Sequence, residues 1–453
     1  MPSKVALPEY RACRFPASIL PVAQPARLPR CARRVILSSR PEAGTPQSSP
    51  GPTPVNERIE SLDVLRGLAL FMILTANMAG FYSPLYYLDE AARHFGATRA
   101  DRIVDTLIFT FVQNESVALF SFLFGFGFAM QFLRASLQGV SFIPLYVRRL
   151  LTLVLIGLVH AYLIWMGDIV ALYGVLGFFL LPFRNVNLRA VLALALALYF
   201  LPQIRWEVAL IRNSNGPASI GGARRVDTAE VIAQEEARRQ AENSVHAYGH
   251  GTWREMTVQR ATDYSFYIKH NQALTVFPLF LLGLYAGRRG LFSDIPKHLS
   301  TFRFVAASSL AAAFLSVLSL RMLYLQGIPD WTRLLRPVLY AIQHTSLLLL
   351  YVSAVVVLQQ APSIRRWMAP LAAAGRLALS NYIFQSVVCT FIFYGYGLAL
   401  YGKVGPAKGF AITVLVFAAQ VFLSVLWSRR FLLGPVEWFW RSVTYGRLQT
   451  MRP

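Results

Sequence analysis

The chain has 453 residues, of which 55% are hydrophobic and only 15% are charged, and its mean hydropathy is +0.46. These values exclude an ordinary soluble domain and favour a protein that crosses the membrane several times. The formal net charge of +22 would suggest a nucleic-acid partner for a soluble protein. In a membrane protein it is typical of Lys and Arg on cytoplasmic loops facing anionic lipid, so no nucleic acid is predicted.

Motifs for common cofactors and nucleophiles are absent from the sequence. The three cysteines, Cys13, Cys31 and Cys389, are far apart and form no CxxC or Cys/His cluster, so neither a disulfide framework nor a metal site is predicted. No Walker A, GxSxG, HExxH or Rossmann glycine pattern is present. Catalysis, if it occurs, would therefore use His, Asp, Glu, Asn or Tyr side chains within the membrane.

Residues 1–55 form a basic segment rich in Pro, Ser, Arg and Ala, whose short apolar runs are interrupted by proline. This composition predicts disorder, because it cannot bury enough apolar surface or sustain a spanning helix. The segment lacks the uninterrupted apolar core of a signal peptide. A transit peptide, a cytoplasmic tail and translation from an upstream start codon are the alternatives left open.

From Arg58 onwards, hydrophobic segments alternate with short polar turns. Since a crossing needs about twenty apolar residues, the sequence predicts an all-α transmembrane bundle of about ten spans. We place them near Leu62–Phe81, Ile103–Phe132 (broken by Gln113-Asn114-Glu115), Val147–Met166, Asp168–Phe183, Leu188–Trp206, Gln272–Ala286, Phe304–Tyr324, Leu335–Leu358, Leu371–Leu400 and Phe410–Trp427.

The distribution of arginine predicts the orientation. An N-terminus inside the cell places most of the loop arginines on the cytoplasmic side, and the opposite loops then carry mixed charges. This predicts a multi-pass protein of the bacterial inner (plasma) membrane with both termini cytoplasmic. It also requires an even number of spans.

Three regions follow the basic segment. An N-terminal transmembrane half, 56–206, is followed by one long extracytoplasmic loop, 207–270, and a C-terminal transmembrane half, 271–447. Within the loop, Asp227 followed by Glu230 predicts a helix through Arg239 that is charged on most faces. We interpret it as an exposed helical lid or platform.

The stretch from Val147 to Phe183 reads as two spans joined by the short break Met166-Gly167-Asp168. His160 lies within two turns of this hairpin and Asp168 lies in it. Titratable groups are costly near lipid, so a catalytic role is the first interpretation. In the alternative interpretation, His160 bonds a neighbouring helix and Asp168 only caps the next one.

Other polar residues on the predicted spans are further candidates. Asp63 and Arg66 are three apart on the first span, where they can pair near a substrate or simply anchor the helix at the membrane edge. Asn77 lies deep in the same span and needs a partner. Glu115 is a candidate acid or base on the second span. The remaining substrate-binding candidates are Arg148, Arg149, Tyr173, Asn381 and Gln385.

Several stretches together resemble the bacterial YeiB family of polytopic membrane proteins, whose C-terminal half is the DUF418 domain. They are SLDVLRGLAL, LFSFLFGFG, GLVHAYLIWMGDIVALYG, FPLFLLGLYAGRRGLF, ALSNYIFQSVVCTFIFYGYGLALYG and GPVEWFWRSVTYG, which extend from about Glu60 to Arg447.

The N-terminal half is similar to that of transmembrane acyltransferases such as the lysosomal heparan glucosaminide acetyltransferase, which also begin with an SLDVxRGxAL segment ending in a deep Asn. The resemblance implies transfer of an acyl group from a cytoplasmic thioester to a hydroxyl or amine on the far side. In those enzymes the catalytic His follows soon after the Asn, whereas the nearest His here, His94, lies further along in a different loop. His160 is therefore the candidate base on physical grounds alone.

The first hypothesis is thus a membrane-embedded acyltransferase that uses acyl-CoA as donor substrate and binds no cofactor. His160, positioned by Asp168 or Glu115, would act as general base, Asn77 would help to hold the carbonyl oxygen, and Arg66, Arg148 or Arg149 would attract the CoA phosphates. The acceptor would be a small molecule or glycan, and a homo-oligomer is left open. The alternatives are a proton-coupled transporter of a small molecule or lipid, and a scaffold whose polar groups only join helices.

Overall fold

Most of the part of the chain that the structure describes is helical. The structure is a computed structural model, and it describes residues 59–84, 87, 97–214, 228–269, 273–325 and 335–452. The α-helices in these ranges are α1 Glu60–Tyr82, α2 Arg99–Phe111, α3 Gln113–Gln138, α4 Phe142–Val159, α5 Val170–Phe178, α6 Leu188–Ser214, α7 Thr228–His250, α8 Trp253–Lys269, α9 Ala273–Arg289, α10 Ile295–Leu325, α11 Leu335–Leu358, α12 Pro362–Arg376, α13 Ala378–Phe393, α14 Pro406–Ser428 and α15 Pro435–Tyr445. The all-α prediction is confirmed; the segment 1–55, His94 and Asp227 lie outside the described residues.

Six described helices are long and apolar enough to cross a membrane, and a seventh crossing results if α12 and α13, which meet at 79°, form one bent span. The six are α1, α2 with α3, α4 with the turn that follows it, α10, α11 and α14. A polytopic helical membrane protein is therefore confirmed, with fewer such helices than the ten spans predicted. The side of the membrane on which each terminus lies stays a prediction, since six crossings place the termini together and seven do not.

Length explains the difference in number. Three predicted spans, Asp168–Phe183, Leu188–Trp206 and Gln272–Ala286, fall on helices whose apolar part is short. Helix α5 has 9 residues and α9 has 17, and within the part of α6 whose side chains the structure describes, the apolar stretch is Leu188–Leu201. Each is shorter than the roughly twenty residues that one crossing needs.

Helix α1 lies at the centre of the bundle. In its most apolar window 72% of the residues are buried inside the protein, against 17% in α10. It contacts α3, α12, α13 and α14. Because α1 is surrounded by other helices, most of its residues face protein, whereas α10 presents its apolar side chains outward as a lipid-facing helix does.

Glycine permits the closest helix contacts. A Cβ added at Gly125 of α3 or at Gly283 of α9 would overlap the backbone of the opposite helix, so these two helices meet at backbone distance. A Cβ at Gly127 would meet only the Gln131 side chain, 4.0 Å away. Of the two glycines in the FGFG stretch, Gly125 makes the close contact and Gly127 leaves open space.

The break predicted at Gln113-Asn114-Glu115 occurs at Val112, between α2 and α3. Carbonyls left without a helical donor at such a break need other partners within the membrane. Helix α11 supplies them: the Gln343 side chain donates to the Thr110 carbonyl at 3.0 Å, and the Tyr351 hydroxyl donates to the Phe111 carbonyl at 2.8 Å.

The predicted long loop contains two helices where the sequence predicted one. Helix α7 continues to His250, well past Arg239, and α8 follows it after a short turn. A buried carboxylate joins them: Asp263 accepts hydrogen bonds from the hydroxyls of Tyr248 (2.6 Å) and Tyr87 (2.7 Å) and from the Gln259 amide (2.7 Å). Helix α8 packs on the turn that follows α4.

Candidate functional site

His160 lies in an irregular turn at the end of α4. Residues His160–Ile164 continue α4 as a π-helix, which ends where the Trp165 amide donates to the His160 carbonyl at 2.9 Å. Single π-turns are rare and often occur at functional sites. Gly157 lets the following segment approach, because a Cβ there would overlap the Ala171 backbone. This close approach brings Asp168 up to the imidazole.

Three side chains form a chain of short hydrogen bonds at this turn. His160 Nδ1 lies 2.9 Å from Asp168 Oδ2, and His160 Nε2 lies 2.8 Å from Ser386 Oγ on α13. All three residues are buried. In the tautomer with the proton on Nδ1, Asp168 accepts from His160 and the Nε2 lone pair faces the serine hydroxyl. Carboxylate, imidazole and hydroxyl are thus arranged as orienting group, base and proton donor.

Asp168 has a second bond through its other oxygen. Its Oδ1 accepts from the Ala171 amide at 2.7 Å, in the first turn of α5. Both contacts of the structural alternative are therefore present, since Asp168 caps α5 and His160 contacts Ser386 of a neighbouring helix, and Asp168 contacts His160 as well. Fixing both oxygens restricts its rotation and holds the imidazole in place.

A cavity of about 390 Å³ extends from the opposite end of the bundle. We call that end, where α1 and α4 begin, the arginine end, and we call the end where they finish the hairpin end. At the arginine end the cavity is lined by cationic side chains, with Asp63 and Glu437 as the lining acids among described residues; the cations are Arg66, Arg134, Arg149, Arg376 and Arg441. Further in, its walls are mainly aromatic and aliphatic; they include Ile73, Phe124, Leu153, Ile169 and Val170.

Both acidic residues that line the cavity, Asp63 and Glu437, already have partners within the protein. Asp63 pairs with Arg66 at 2.7 Å. Glu437 of α15 accepts from the amides of Leu379 (2.6 Å) and Ser380 (3.1 Å) and from the Ser380 hydroxyl, and so caps the start of α13. Burial raises the pKa of Glu437, and these donors oppose the rise. The cavity therefore presents a net positive mouth and an apolar interior.

The cavity and the buried histidine meet at one aromatic ring. Tyr382 of α13 lines the cavity, and its ring centre lies 5.1 Å from that of His160. Its hydroxyl donates to the Gly167 carbonyl in the hairpin at 3.2 Å. His160, Asp168 and Ser386 themselves do not line the cavity in the described structure. A ligand bound there would lie against the Tyr382 ring, next to the histidine.

Residues 286–447 match the family described as "Protein of unknown function (DUF418)". The chain is also 38% identical over 414 residues to the "Uncharacterized protein YxaH" of Bacillus subtilis (strain 168), a match that covers 88% of this chain and 97% of that protein. The chain belongs to the DUF418 family. It is 26% identical to the "Uncharacterized protein YeiB" of Escherichia coli (strain K12), over 86% of this chain and 96% of that protein. The predicted YeiB/DUF418 membership is thereby confirmed.

The site draws on both halves of this DUF418 protein. The matched region, 286–447, contributes Tyr382, Ser386 and the cap Glu437. The part before it contributes His160 and Asp168. The DUF418 region therefore does not contain the whole arrangement, and the histidine comes from a hairpin outside it.

Glu115 lies elsewhere, beside a second histidine. Its Oε1 is 2.6 Å from His344 Nδ1, and His344 Nε2 is 3.1 Å from the Asn114 amide. Glu115 is fully buried and its Oε2 has no hydrogen-bond partner among the described residues. Of the two carboxylates proposed to position His160, the structure pairs Asp168 with it and pairs Glu115 with His344.

The predicted substrate-binding residues fall into two groups. Asp63, Arg66, Arg149 and Tyr173 line the cavity; the Arg149 guanidinium lies 3.9 Å from the centre of the Trp440 ring. Arg148, in contrast, is exposed and lies outside the cavity lining.

Asn381 and Gln385 join helices. The Asn381 amide donates to the Ala374 carbonyl (2.9 Å) and Ser424 (3.0 Å), and the Gln385 amide donates to Gln420 (2.7 Å). Asn77 is half-buried, and its side chain makes no hydrogen bond to another described residue. Both imidazole nitrogens of His160 contact other groups, Asp168 and Ser386, and neither contacts Asn77.

Sequence reasoning missed several residues at this site. Ser386 immediately follows Gln385, in a stretch already noted for its polar residues, and lies one turn after Tyr382. Arg260 of α8 is buried and donates to the carbonyls of Leu163 (3.0 Å) and Ile164 (3.2 Å), at the end of the π-turn. A buried arginine in a loop predicted to be exposed gives no periodic signal, so the sequence did not identify it.

Proposed function

We propose that this chain is a membrane-embedded acyltransferase that takes an acyl group from acyl-CoA and delivers it to a hydroxyl or amine. The observation that carries the proposal is the cavity that joins a positive mouth to an apolar interior beside His160. An acyl-CoA is an amphipathic anion with phosphates at one end and an acyl chain at the other. Arginine binds phosphate well through its planar fork of donors.

The size of the cavity is that of a small-molecule site. Small-molecule sites usually measure about 300–1,000 Å³ and are mostly apolar, with a few oriented polar groups. Here the arginines lie at one end, and the apolar walls lead inward to Tyr382. The acyl end of a bound donor would therefore lie inward, towards the histidine, and its phosphates would lie at the mouth.

His160 supplies the chemistry in this proposal. Its Nε2 removes the proton from the attacking hydroxyl or amine as the new bond to the acyl carbon forms, the carbon–sulfur bond breaks, and the CoA thiolate leaves with the proton. Asp168 holds the imidazole in the required tautomer and stabilises its charged form. A general base of this kind typically contributes about 10²–10⁴-fold in rate.

The predicted orientation in the bacterial inner membrane places the arginine end in the cytoplasm, where acyl-CoA is available, and the hairpin end outside. The acceptor is then an extracytoplasmic small molecule or glycan. The similarity of the SLDVLRGLAL segment to transmembrane acyltransferases supports the same reaction class. In this sequence Asp63 and Arg66 of that segment lie at the cavity mouth.

The direct test is turnover of acyl-CoA by the purified protein. We expect CoA release from acetyl-, octanoyl- or palmitoyl-CoA, and loss of that release in His160→Ala. His344→Ala is the matched control, because it removes a second histidine that also pairs with a carboxylate. Normal CoA release by the His160→Ala variant would remove the role proposed for this residue.

A proton-coupled transporter is the second candidate, and one observation favours it. The Glu115–His344 pair joins two helices, with Glu115 buried and His344 half-buried, and takes no part in the acyl-transfer scheme. Titratable pairs within the membrane occur on proton pathways in transporters. Uptake or efflux in vesicles that depends on a pH gradient and is lost in Glu115→Gln, together with no acyl-CoA turnover, would select the transporter.

A further inference from the structure

We propose that Ser386 is the nucleophile that first accepts the acyl group, so that transfer proceeds through an acyl-serine. The inference rests on the acyltransferase function proposed above and names the group whose proton His160 removes. Its basis is the 2.8 Å contact between Ser386 Oγ and His160 Nε2, together with the 2.9 Å contact between His160 Nδ1 and Asp168 Oδ2. Such an arrangement activates a serine hydroxyl on many unrelated folds.

The hydroxyl of Ser386 differs from those of buried serines that donate to a carbonyl of their own helix. Serine in a membrane helix usually donates to the carbonyl four residues earlier. Ser121 does so at 2.7 Å and Ser316 at 2.6 Å. Ser386 lies 3.5 Å from the corresponding Tyr382 carbonyl, and its short contact is with the imidazole. A serine with a purely helical role would show the opposite preference.

The position of Ser386 along α13 connects it with the cavity. Tyr382, four residues earlier on the same face of the helix, lines the cavity and lies against His160. An acyl group directed inward along the cavity would therefore reach the Tyr382 ring first and Ser386 one turn later. Movement of the Tyr382 ring would connect the cavity with Ser386.

A buried donor next to His160 has no partner in the described structure. The Trp165 ring centre lies 6.5 Å from the His160 ring centre, and the indole Nε1 is buried without an acceptor. Buried donors are nearly always bonded, so an unpaired one calls for an explanation. A carbonyl oxygen that enters during the reaction would provide the missing acceptor, in the manner of an oxyanion-hole donor.

Acyl transfer through Ser386 has two steps. In the first, Ser386 Oγ bonds to the thioester carbon while its proton passes to His160 Nε2, the carbon–sulfur bond breaks, and the thiolate takes that proton and leaves as CoA. In the second, the acceptor hydroxyl or amine bonds to the acyl carbon while its proton passes to Nε2. The carbon–Oγ bond breaks and Ser386 regains its proton.

The test is to look for the covalent adduct. Purified protein is mixed with acetyl-CoA or octanoyl-CoA without an acceptor and quenched in acid, and its peptides are examined by mass spectrometry. We expect one acyl group on the peptide that contains Ser386, no adduct in Ser386→Ala, and an unchanged adduct in Ser353→Ala. Ser353 is the matched control, because it is buried on α11 and bonds its own helix.

A second variant covers the case in which Ser386→Ala fails to fold. Ser386→Cys keeps a nucleophile at the same place but converts the oxygen ester into a thioester. Neutral hydroxylamine cleaves thioesters readily and oxygen esters slowly. We expect the adduct on Ser386→Cys to be released by neutral hydroxylamine and the wild-type adduct to persist.

The outcomes separate this inference from the proposed function. Steady CoA release by the wild type with no adduct on Ser386, and with turnover maintained in Ser386→Ala, would overturn the acyl-serine and leave direct transfer by His160. No CoA release from any of the acyl-CoA donors would overturn the proposed function and the acyl-serine with it.

Discussion

Two histidines each pair with a carboxylate: the buried His160 pairs with Asp168 at the hairpin end, and the half-buried His344 pairs with Glu115 beside the break between α2 and α3. The distances are similar, 2.9 Å and 2.6 Å. The other ring nitrogen differs, because it faces a hydroxyl in the first pair and an amide in the second. Only the hydroxyl can serve as a nucleophile.

The carboxylates differ as well. Both oxygens of Asp168 accept hydrogen bonds, whereas Glu115 Oε2 has no partner among the described residues. The first pair is thus fully fixed on an irregular turn. The second lies on two regular helices and joins them. A histidine–carboxylate pair inside a membrane protein therefore does not by itself indicate a catalytic site. The two pairs are distinguished by the group at the other ring nitrogen and by the local backbone conformation.

The largest expected effect is a difference in kcat between variants of Asp168 and of Glu115. Asp168→Asn should lower kcat for acyl transfer by roughly 10²–10⁴-fold, because the neutral amide no longer holds the imidazole in the tautomer that accepts a proton at Nε2. Glu115→Gln should leave turnover near that of the wild type, since it does not contact His160. The measurement is CoA release at saturating acyl-CoA. Equal losses in both variants would contradict the distinction between the pairs.

A smaller effect is expected on donor binding, because the cavity reaches Tyr382, whose ring lies against His160 of the first pair. Arg149→Ala should raise KM for acyl-CoA about tenfold, since a hydrogen bond to a charged group contributes about 1.5–3 kcal/mol and 1.4 kcal/mol is a factor of ten. Arg148→Ala is the control, because Arg148 is the neighbouring arginine but is exposed outside the cavity. The reverse ranking of the two KM values would show that phosphate binds on another surface.

Arg260 of α8 holds the π-turn that carries His160. Among the described residues, no comparable contact holds the backbone that carries His344. Arg260→Gln would remove the donors to the Leu163 and Ile164 carbonyls. We expect kcat to fall about tenfold through misplacement of the imidazole, with KM for acyl-CoA unchanged because the cavity mouth is distant. Arg260 is a positioning residue in this scheme, and Arg260→Lys should restore part of kcat.

The control for this prediction is Arg254→Gln on the same helix, which changes an exposed arginine. It should leave both kinetic constants unchanged. A rise in KM without a change in kcat in Arg260→Gln would instead place α8 at the donor site, and would contradict a role in positioning His160.

Local geometry explains which of these features the sequence could predict. His160 and Asp168 are eight residues apart across a short hairpin, so their proximity follows from chain connectivity. Glu115 and His344 are 229 residues apart, and His160 and Ser386 are 226 apart. Hydrophobic periodicity identifies helices and the face each one buries, but it contains no information about which helices are neighbours. The fold class was therefore predictable, and the third member of the site was not.

The charged residues of the cavity show the same limit of prediction from sequence. Asp63, Arg66 and Arg149 were selected individually as candidates. Their convergence with Arg376 and Arg441, which come from the far end of the chain, depends on the packing of α12 and α15 against α1 and α4. The π-turn was also beyond sequence reasoning, because its residues, HAYLI, contain no proline or glycine that would mark an irregularity.

The smallest expected effect concerns a third buried carboxylate, Asp263. Its hydrogen-bond donors are tyrosine hydroxyls and an amide, whereas Asp168 and Glu115 each pair with a histidine. Burial raises the pKa of Asp263 above its usual value of 3.8, while the bonds from Tyr248, Tyr87 and Gln259 oppose the rise. The folded state therefore binds this proton more tightly than the unfolded state does. Between the usual and the raised pKa, the free energy of unfolding should fall as the pH rises, by at most about 1.4 kcal/mol for each pH unit.

Thermal unfolding of the detergent-purified protein between pH 3.5 and about pH 7 measures this effect as the difference between wild type and Asp263→Asn. The difference isolates Asp263 from the other groups that titrate, because the variant keeps the side-chain shape and cannot ionise. Tyr248→Phe removes one of the donors that favour the ionised form, so it should raise the pKa of Asp263 further and move the slope to higher pH. A slope of the opposite sign would mean that the hydrogen bonds outweigh burial at Asp263 and lower its pKa in the folded state.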